Sequence, residues 1–298
     1  MTTQNHAKSN SNPHPREDRA RVQPQRLPDK TEVFKTTPQG ELKIHFYFPP
    51  DWNKNDRRPA IIFWFGGGFK HGSPQQFYAK AEYFAARGLV CACAEYRVKG
   101  THGTLIEKCV EDARSAIRWV KSHADELGID AEKVIASGGS AGGTLSLLLS
   151  RLDGPNAETD DLKISPRPCA LVLFNPAVGA RVLDVIGLGG AEQAAANEEI
   201  IALNTPRPDE PPSISFFGIQ DHFVEVSREY CRRGQEQGSR CELWTAEPMP
   251  HGFFNSEPWH SATLRQADEF LASLGYLQGP PRIEHNPEAI LKQEYPAP

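Results

Sequence analysis

The chain reads as an α/β protein with a mostly parallel central sheet of about eight strands and helices on both faces. Three observations predict this. Short apolar runs bounded by turn residues, at 59–65, 89–95, 134–136 and 170–174, alternate with stretches of helical periodicity. These runs are apolar at nearly every position, the pattern of strands covered on both faces. The residues able to do chemistry fall just after such strands, where open parallel sheets bind their ligands. With 298 residues, 39% of them apolar, the chain can build one large domain with a full core.

Residues 1–30 are poor in apolar side chains and rich in Asn, Pro, Arg and Asp, the composition of a mobile arm. A fold-over lid is the alternative use of that arm. It contains no apolar stretch of a secretory signal, so a cytoplasmic protein is expected. Leu42, Ile44, Phe46 and Phe48 alternate with polar residues, which predicts a half-buried antiparallel strand over 41–48, stopped by Pro49 and Pro50. A polar turn follows, and 59–65 is the first central strand, running into Gly66, Gly67, Gly68 and Phe69. Ser73 is placed to cap a helix over 74–87, with Phe77, Ala81 and Phe84 inward and Gly88 as its stop. The strand 89–95 leads through a loop into a long amphipathic helix over 105–127. There Val110, Ala113, Ile117 and Val120 recur at helical spacing and Gly128 closes the element.

The strand 134–136 turns into a helix over 141–149. After a polar loop and the strand 170–174, residues 178–212 show no strong periodicity. They combine glycine-, alanine- and proline-rich pieces, as a small helical cap or substrate wall would. Strand 213–219, helix 226–237, strand 241–246 and helix 261–275 complete a domain spanning 31–277. The tail 278–298 is proline-rich and without a core pattern.

The chain is organised around Gly138-Gly139-Ser140-Ala141-Gly142. A strand reversing into a helix within a few residues crowds its own backbone, so small residues must flank the apex, and the apex side chain projects from the turn. Ser140 stands there, beside the free N–H groups of the new helix. A serine hydroxyl needs a base to act as a nucleophile, and histidine, oriented by a carboxylate, suits the task. In open parallel sheets these arrive in the order serine, acid, histidine. Asp221, directly after the strand 213–219, fits the acid, and His251, in Pro248-Met249-Pro250-His251-Gly252-Phe253, fits the base. His222 and His260 are the rival histidines; a pocket-lining role suits the first and a solvated or capping role the second. The glycines after strand 59–65 allow close approach to an oxyanion, which makes the N–H groups of Gly67, Gly68 and Ala141 the candidate donors. The chemistry calls for no metal and no cofactor.

A net charge of −5 argues against nucleic acid or an anionic membrane as a partner, and no apolar run is long enough to span a bilayer. A small-molecule ester is the expected partner. The oligomeric state is open, with a homodimer among the options. The six cysteines lack zinc-ligand spacing and read as reduced, buried thiols, with a Cys231–Cys241 bridge the one alternative. Trp64, Phe69, Phe223, Phe253, Phe254 and Trp259 gather near the predicted mouth. They read first as core filling, and alternatively as a wall, with Phe69, Phe223, Phe253 and Phe254 lining a pocket for an acyl group or a sugar or aromatic alcohol.

Over about residues 40–275 the chain resembles the alpha/beta hydrolases, and within them the branch holding hormone-sensitive-lipase-like and acetyl- or feruloyl-esterase-like enzymes. The resemblance is carried by Phe65-Gly66-Gly67-Gly68-Phe69, Glu95-Tyr96-Arg97, the Ser140 turn, Gly218-Ile219-Gln220-Asp221 and His251-Gly252-Phe253. It implies a Ser140–His251–Asp221 triad, an oxyanion hole from Gly67, Gly68 and Ala141, and hydrolysis of carboxylic esters through an acyl-enzyme. Two positions depart from the family pattern. Phe65 stands where the family has a histidine, and Glu95 where it has an aspartate; Arg97 is either an ion-pair partner or a substrate ligand. The short 178–212 connection suggests an open cleft and short-chain, acetyl-type or carbohydrate-linked esters. A peptidase of the same fold and a non-catalytic ligand-binding member are the alternatives.

Overall fold

The computed structural model describes residues 21–150, 154–177 and 206–297. Nine strands form one sheet: β1 (Lys30–Thr37), β2 (Gly40–Tyr47), β3 (Arg58–Trp64), β4 (Val90–Ala94), β5 (Ile129–Gly139), β6 (Leu171–Phe174), β7 (Ser213–Gly218), β8 (Cys241–Ala246) and β9 (Leu291–Tyr295). Their order is β1-β2-β4-β3-β5-β6-β7-β8-β9. The six strands from β4 to β8 run parallel, and β1, β2 and β9 are antiparallel additions at the two edges.

The core strands are buried on both faces, and side-chain alternation divides them between two apolar layers. Ala60, Ile62 and Trp64 of β3 face one layer, and Ile61 and Phe63 face the other. The first layer packs against helices α2 (Ile106–Ser122), α3 (Ala141–Leu149) and α4 (Val224–Glu236). The second packs against α1 (Tyr78–Ala86) and α5 (Trp259–Ser273). This is the doubly covered α/β sheet that the apolar runs predict.

Several boundaries differ from the sequence reading. The helix expected over 74–87 begins as a 3₁₀ turn at Pro74–Phe77, with the proline at the first position, where its missing N–H has no intrahelical partner to lose. The helix expected over 105–127 ends at Ser122 and resumes as one turn, Ala124–Leu127, closed by Gly128 in the left-handed conformation at φ +64°. Strand 134–136 is the middle of a longer β5. Two strands were not legible in the sequence. β1 lies just inside the domain start, and β9 lies in the tail expected to carry no core pattern. Both are edge strands with mostly exposed or half-buried side chains, so neither needs an apolar run. Of the expected arm, residues 1–20 lie outside the described residues, as do 178–205 of the expected cap. The rest of the arm, 21–29, lies against the body: Asp29 N–H donates to the Phe46 carbonyl at 2.8 Å and the Arg26 guanidinium stands over the Tyr47 ring. Among the described residues no helix is long and apolar enough to cross a membrane.

Buried charge ties α2 to the edge of the sheet. Arg97, 4% exposed, donates through Nε and Nη2 to Asp112 at 2.8 and 2.7 Å and through Nη2 to Glu111 at 2.8 Å. Lys35 of β1 donates to both carboxylates, at 2.8 and 3.0 Å. Burial raises the Glu111 carboxyl, but bonds from Lys108, Lys35 and Arg97 outweigh it and hold its pKa at about 2. Arg97 is therefore an ion-pair partner that fixes the loop after β4. All six cysteines are free, and Cys231 Sγ donates to the Cys241 carbonyl at 2.8 Å.

His260 is buried at the start of α5 rather than solvated, and neither ring nitrogen makes a hydrogen bond among the described residues. Desolvation, with Lys80 nearby, pushes its pKa down to about 2 from 6.5. Between those values the unfolded chain binds a proton that the folded chain refuses, so stability falls as pH drops below 6.5. The expected slope is up to about 1.4 kcal/mol per pH unit from this residue, and His260→Leu should flatten urea-measured stability between pH 7 and 5 accordingly. An unchanged slope would refute this account. Replacing Arg97 with Met leaves the buried carboxylates of Asp112 and Glu111 sharing Lys35 as their remaining buried cation, and should cost about 3 kcal/mol in the same measurement.

Candidate active site

Sheet order reverses between β3 and β5: the chain passes from β3 to β4 on one side and returns to β5 on the other. Loops leaving the carboxyl ends of these two strands must diverge, and the crevice between them is where such sheets bind ligands. Gly66-Gly67-Gly68 leaves β3 there and Ser140 leaves β5.

The two strand ends touch backbone to backbone. A Cβ on Gly142 would lie 2.0 Å from the Trp64 carbonyl oxygen, so no side chain fits at that position. With its flanks pinned, Ser140 adopts φ +51° and ψ −118°, a conformation costly for a residue with a Cβ. Its amide is held by the Phe174 carbonyl at 2.9 Å, and its hydroxyl projects beside the first turn of α3.

Asp221 and His251 reach this hydroxyl from the loops after β7 and β8. His251 Nε2 lies 2.9 Å from Ser140 Oγ, and His251 Nδ1 lies 2.7 Å from Asp221 Oδ2. Asp221 is buried, and its other oxygen accepts the Phe223 amide at 3.0 Å, which leaves Oδ2 aimed at the ring. The two loops are stitched together where Gln220 N–H donates to the Met249 carbonyl at 3.1 Å. An N–H on Nδ1 facing the carboxylate leaves Nε2 as the acceptor for the hydroxyl proton.

A cavity of about 500 Å³ opens at this row, lined by Gly67, Gly68, Phe69, Ser140, Ala141 and Phe223 among others. Gln76 Oε1 accepts the Gly66 amide at 2.7 Å, whereas the Gly67 and Gly68 amides meet no protein acceptor among the described residues. They are therefore available to an oxyanion beside the N-terminus of α3. The loop is steadied where the family's histidine is replaced: the Phe65 ring stacks on Tyr96 at 4.2 Å, and Tyr96 OH donates to the Phe65 carbonyl at 2.8 Å.

Of the expected pocket residues, Phe69, Phe223 and Phe254 line the cavity and Phe253 does not. Phe253 is in the core instead, its ring edge-on to Phe254 and Trp259, because the 3₁₀ turn Phe253–Asn255 directs neighbouring side chains apart. Trp64 and Trp259 are core residues, and His222 reaches the cavity wall.

Sequence reasoning missed two contributors. Asn175, at the end of β6, is fully buried with φ +39°, and its Nδ2 lies 2.8 and 2.9 Å from the two ring nitrogens of His251. Both nitrogens are already engaged, so the amide acts as a wall that limits the tilt of the ring. An asparagine after a core strand, where asparagine tolerates left-handed backbone, was the available signal. Lys80 is the second. It is buried on α1 and donates to the Phe254 carbonyl at 3.0 Å, between the Phe174 and Phe254 rings. Burial pushes its ammonium well below the usual range. The bond anchors the loop that carries His251, and nothing in the sequence of an amphipathic helix marks it.

A family model described as BD-FAE matches residues 44–166. A solved structure of esterase 2 from Thermogutta terrifontis with propionate bound is similar with TM-score 0.75 and 39% identity, covering 84% of this chain and 96% of that one. The same enzyme phosphonylated by sarin is similar with TM-score 0.76 and 38% identity, over 84% and 96% of the two chains. Carboxylesterase NlhH of Mycobacterium tuberculosis is 29% identical over 38% of this chain and 34% of its own length. Esterase LipC of the same species is 36% identical over 33% and 25%. The chain spans between a quarter and about a third of the length of these curated relatives.

Gly67 has φ +136°, and a Cβ there would lie 1.9 Å from the His71 carbonyl oxygen. Gly67→Ala should therefore displace the loop and lower stability by roughly 1–3 kcal/mol, read by thermal unfolding. Unaltered stability would show that the loop is not held as described.

Proposed function

The chain belongs to the esterase/lipase branch of the alpha/beta hydrolases, and on that premise we propose that it is a serine carboxylesterase working through an acyl-enzyme. The hydrogen-bonded row from Ser140 through His251 to buried Asp221, beside a cavity, is the observation that carries the reading. Ser140 Oγ attacks the ester carbonyl while His251 Nε2 takes its proton, and Asp221 stabilises the imidazolium that forms. The N–H groups of Gly67, Gly68 and Ala141 receive the oxyanion. Collapse of the tetrahedral species expels the alcohol, protonated by His251. A water activated by the same ring then attacks the acyl-enzyme and releases the acid.

The favoured substrates are short-chain, acetyl-type or carbohydrate-linked esters. Aromatic walls at Phe69, Phe223 and Phe254 suit a compact acyl group, and the similar esterase 2 of Thermogutta terrifontis has been solved with propionate and with butyrate bound. The free thiols, five of the six buried, fit a cytoplasmic setting.

A nitrophenyl ester series should give its highest kcat/KM between acetyl and butyryl; a maximum above about eight carbons would overturn the substrate class. Ser140→Ala should lower kcat at least about 10³-fold and abolish labelling by a fluorophosphonate. Retained labelling or turnover would overturn the mechanism.

A further inference from the structure

The cavity wall carries a charge pattern opposite to that of the whole chain. The chain has a net charge of −5, yet Arg21, Lys70, His71 and His222 line the cavity, and no Asp or Glu does so among the described residues. The cations arrive from separate segments. Arg21 precedes β1, and its neighbour Val22 donates its N–H to the Asn255 carbonyl at 3.0 Å, which puts Arg21 on the side of the His251 loop. Lys70 follows the glycine loop directly. Its own N–H donates to the Gly67 carbonyl at 3.1 Å, and its carbonyl accepts the Gly100 amide at 2.9 Å, so its backbone is fixed at the rim. Both side chains are exposed, and neither has a carboxylate partner among the described residues. Elsewhere on the surface several arginines pair with acids, as Arg57 does with Asp125 and Arg232 with Glu229. Two cations unneutralised at one concave site focus the local potential and favour an anion there.

We propose that the preferred substrate is an ester that also carries a carboxylate, held by Lys70 and Arg21 while its ester carbonyl reaches Ser140. This rests on the ester-hydrolase reading and narrows it to a substrate class. The two cations flank the reacting carbonyl, Lys70 beside the oxyanion loop and Arg21 beside the histidine loop. The carboxylate can therefore belong to the alcohol or to the acyl part, and matched pairs separate the two. 4-Acetoxybenzoate against 4-acetoxybenzamide tests the alcohol side, and monoethyl succinate against ethyl succinamate tests the acyl side.

In the full chain at about 20 mM salt, the anionic member of at least one pair should show kcat/KM roughly tenfold above its neutral twin. That preference should collapse at about 0.5 M salt. Lys70→Gln and Arg21→Gln should each lower the anionic-to-neutral ratio several-fold, and Lys133→Gln, on a remote exposed cation, should leave it unchanged. Equal kcat/KM within both pairs, or a preference indifferent to salt and to both variants, overturns the proposal while the esterase reading stands. If no ester of either pair is cleaved and Ser140 resists a fluorophosphonate, both fall together.

Discussion

The close contact between the ends of β3 and β5 is the constraint on which the rest of the site depends. Gly138 at the end of β5 and Gly142 in the first turn of α3 both sit against the Trp64 carbonyl with no room for a Cβ, and this approach leaves the turn between β5 and α3 one narrow path. Ser140 takes the strained backbone conformation that the path requires, and the helix that follows begins beside its hydroxyl. The same contact sets the glycine loop after β3 opposite the serine, so the Ser140 hydroxyl and the unpaired loop amides share one crevice without any side chain joining them. The strain is repaid by the surrounding sheet, whose parallel strands hold both ends in register.

Around that crevice, order is imposed by hydrogen bonds and packing behind the reacting row. Asp221 is oriented by the Phe223 amide, and the histidine loop hangs on the Met249 carbonyl and on buried Lys80. Asn175 closes the space beside the imidazole. A lone buried ammonium with one carbonyl acceptor is an expensive device in a low-dielectric core. Its placement between two rings softens the cost, since aromatic faces attract a cation. The Arg97 cluster performs the same task on the other face, where opposed charges satisfy one another and lock the segment after β4.

The departures at Phe65 and Glu95 become intelligible in this setting. Phe65 replaces a polar side chain with a stacked ring, and its partner Tyr96 returns a hydrogen bond to the Phe65 carbonyl, so packing steadies the glycine loop. Glu95 is half-buried and accepts the Lys43 amide at 2.8 Å, which ties strand β2 to the end of β4. Both positions shape the frame and leave the row of Ser140, His251 and Asp221 untouched.

The doubly covered parallel sheet, the turn at Ser140, the glycine loop and the places of Asp221 and His251 at strand ends were all legible in the sequence. Each is a local pattern: apolar runs report burial on both faces, and glycines around one serine report a crowded backbone. Edge strands β1 and β9 were not legible, because a strand paired on one side and open to water needs no apolar signature. Phe253 and Phe254, adjacent in sequence, both pack in the core but only Phe254 also lines the cavity, and His260 disappears into the core. Asn175 and Lys80 acquire their roles from partners 76 and 174 positions distant in the chain. Burial and contact between distant segments are properties of the packed chain, and no window of sequence contains them.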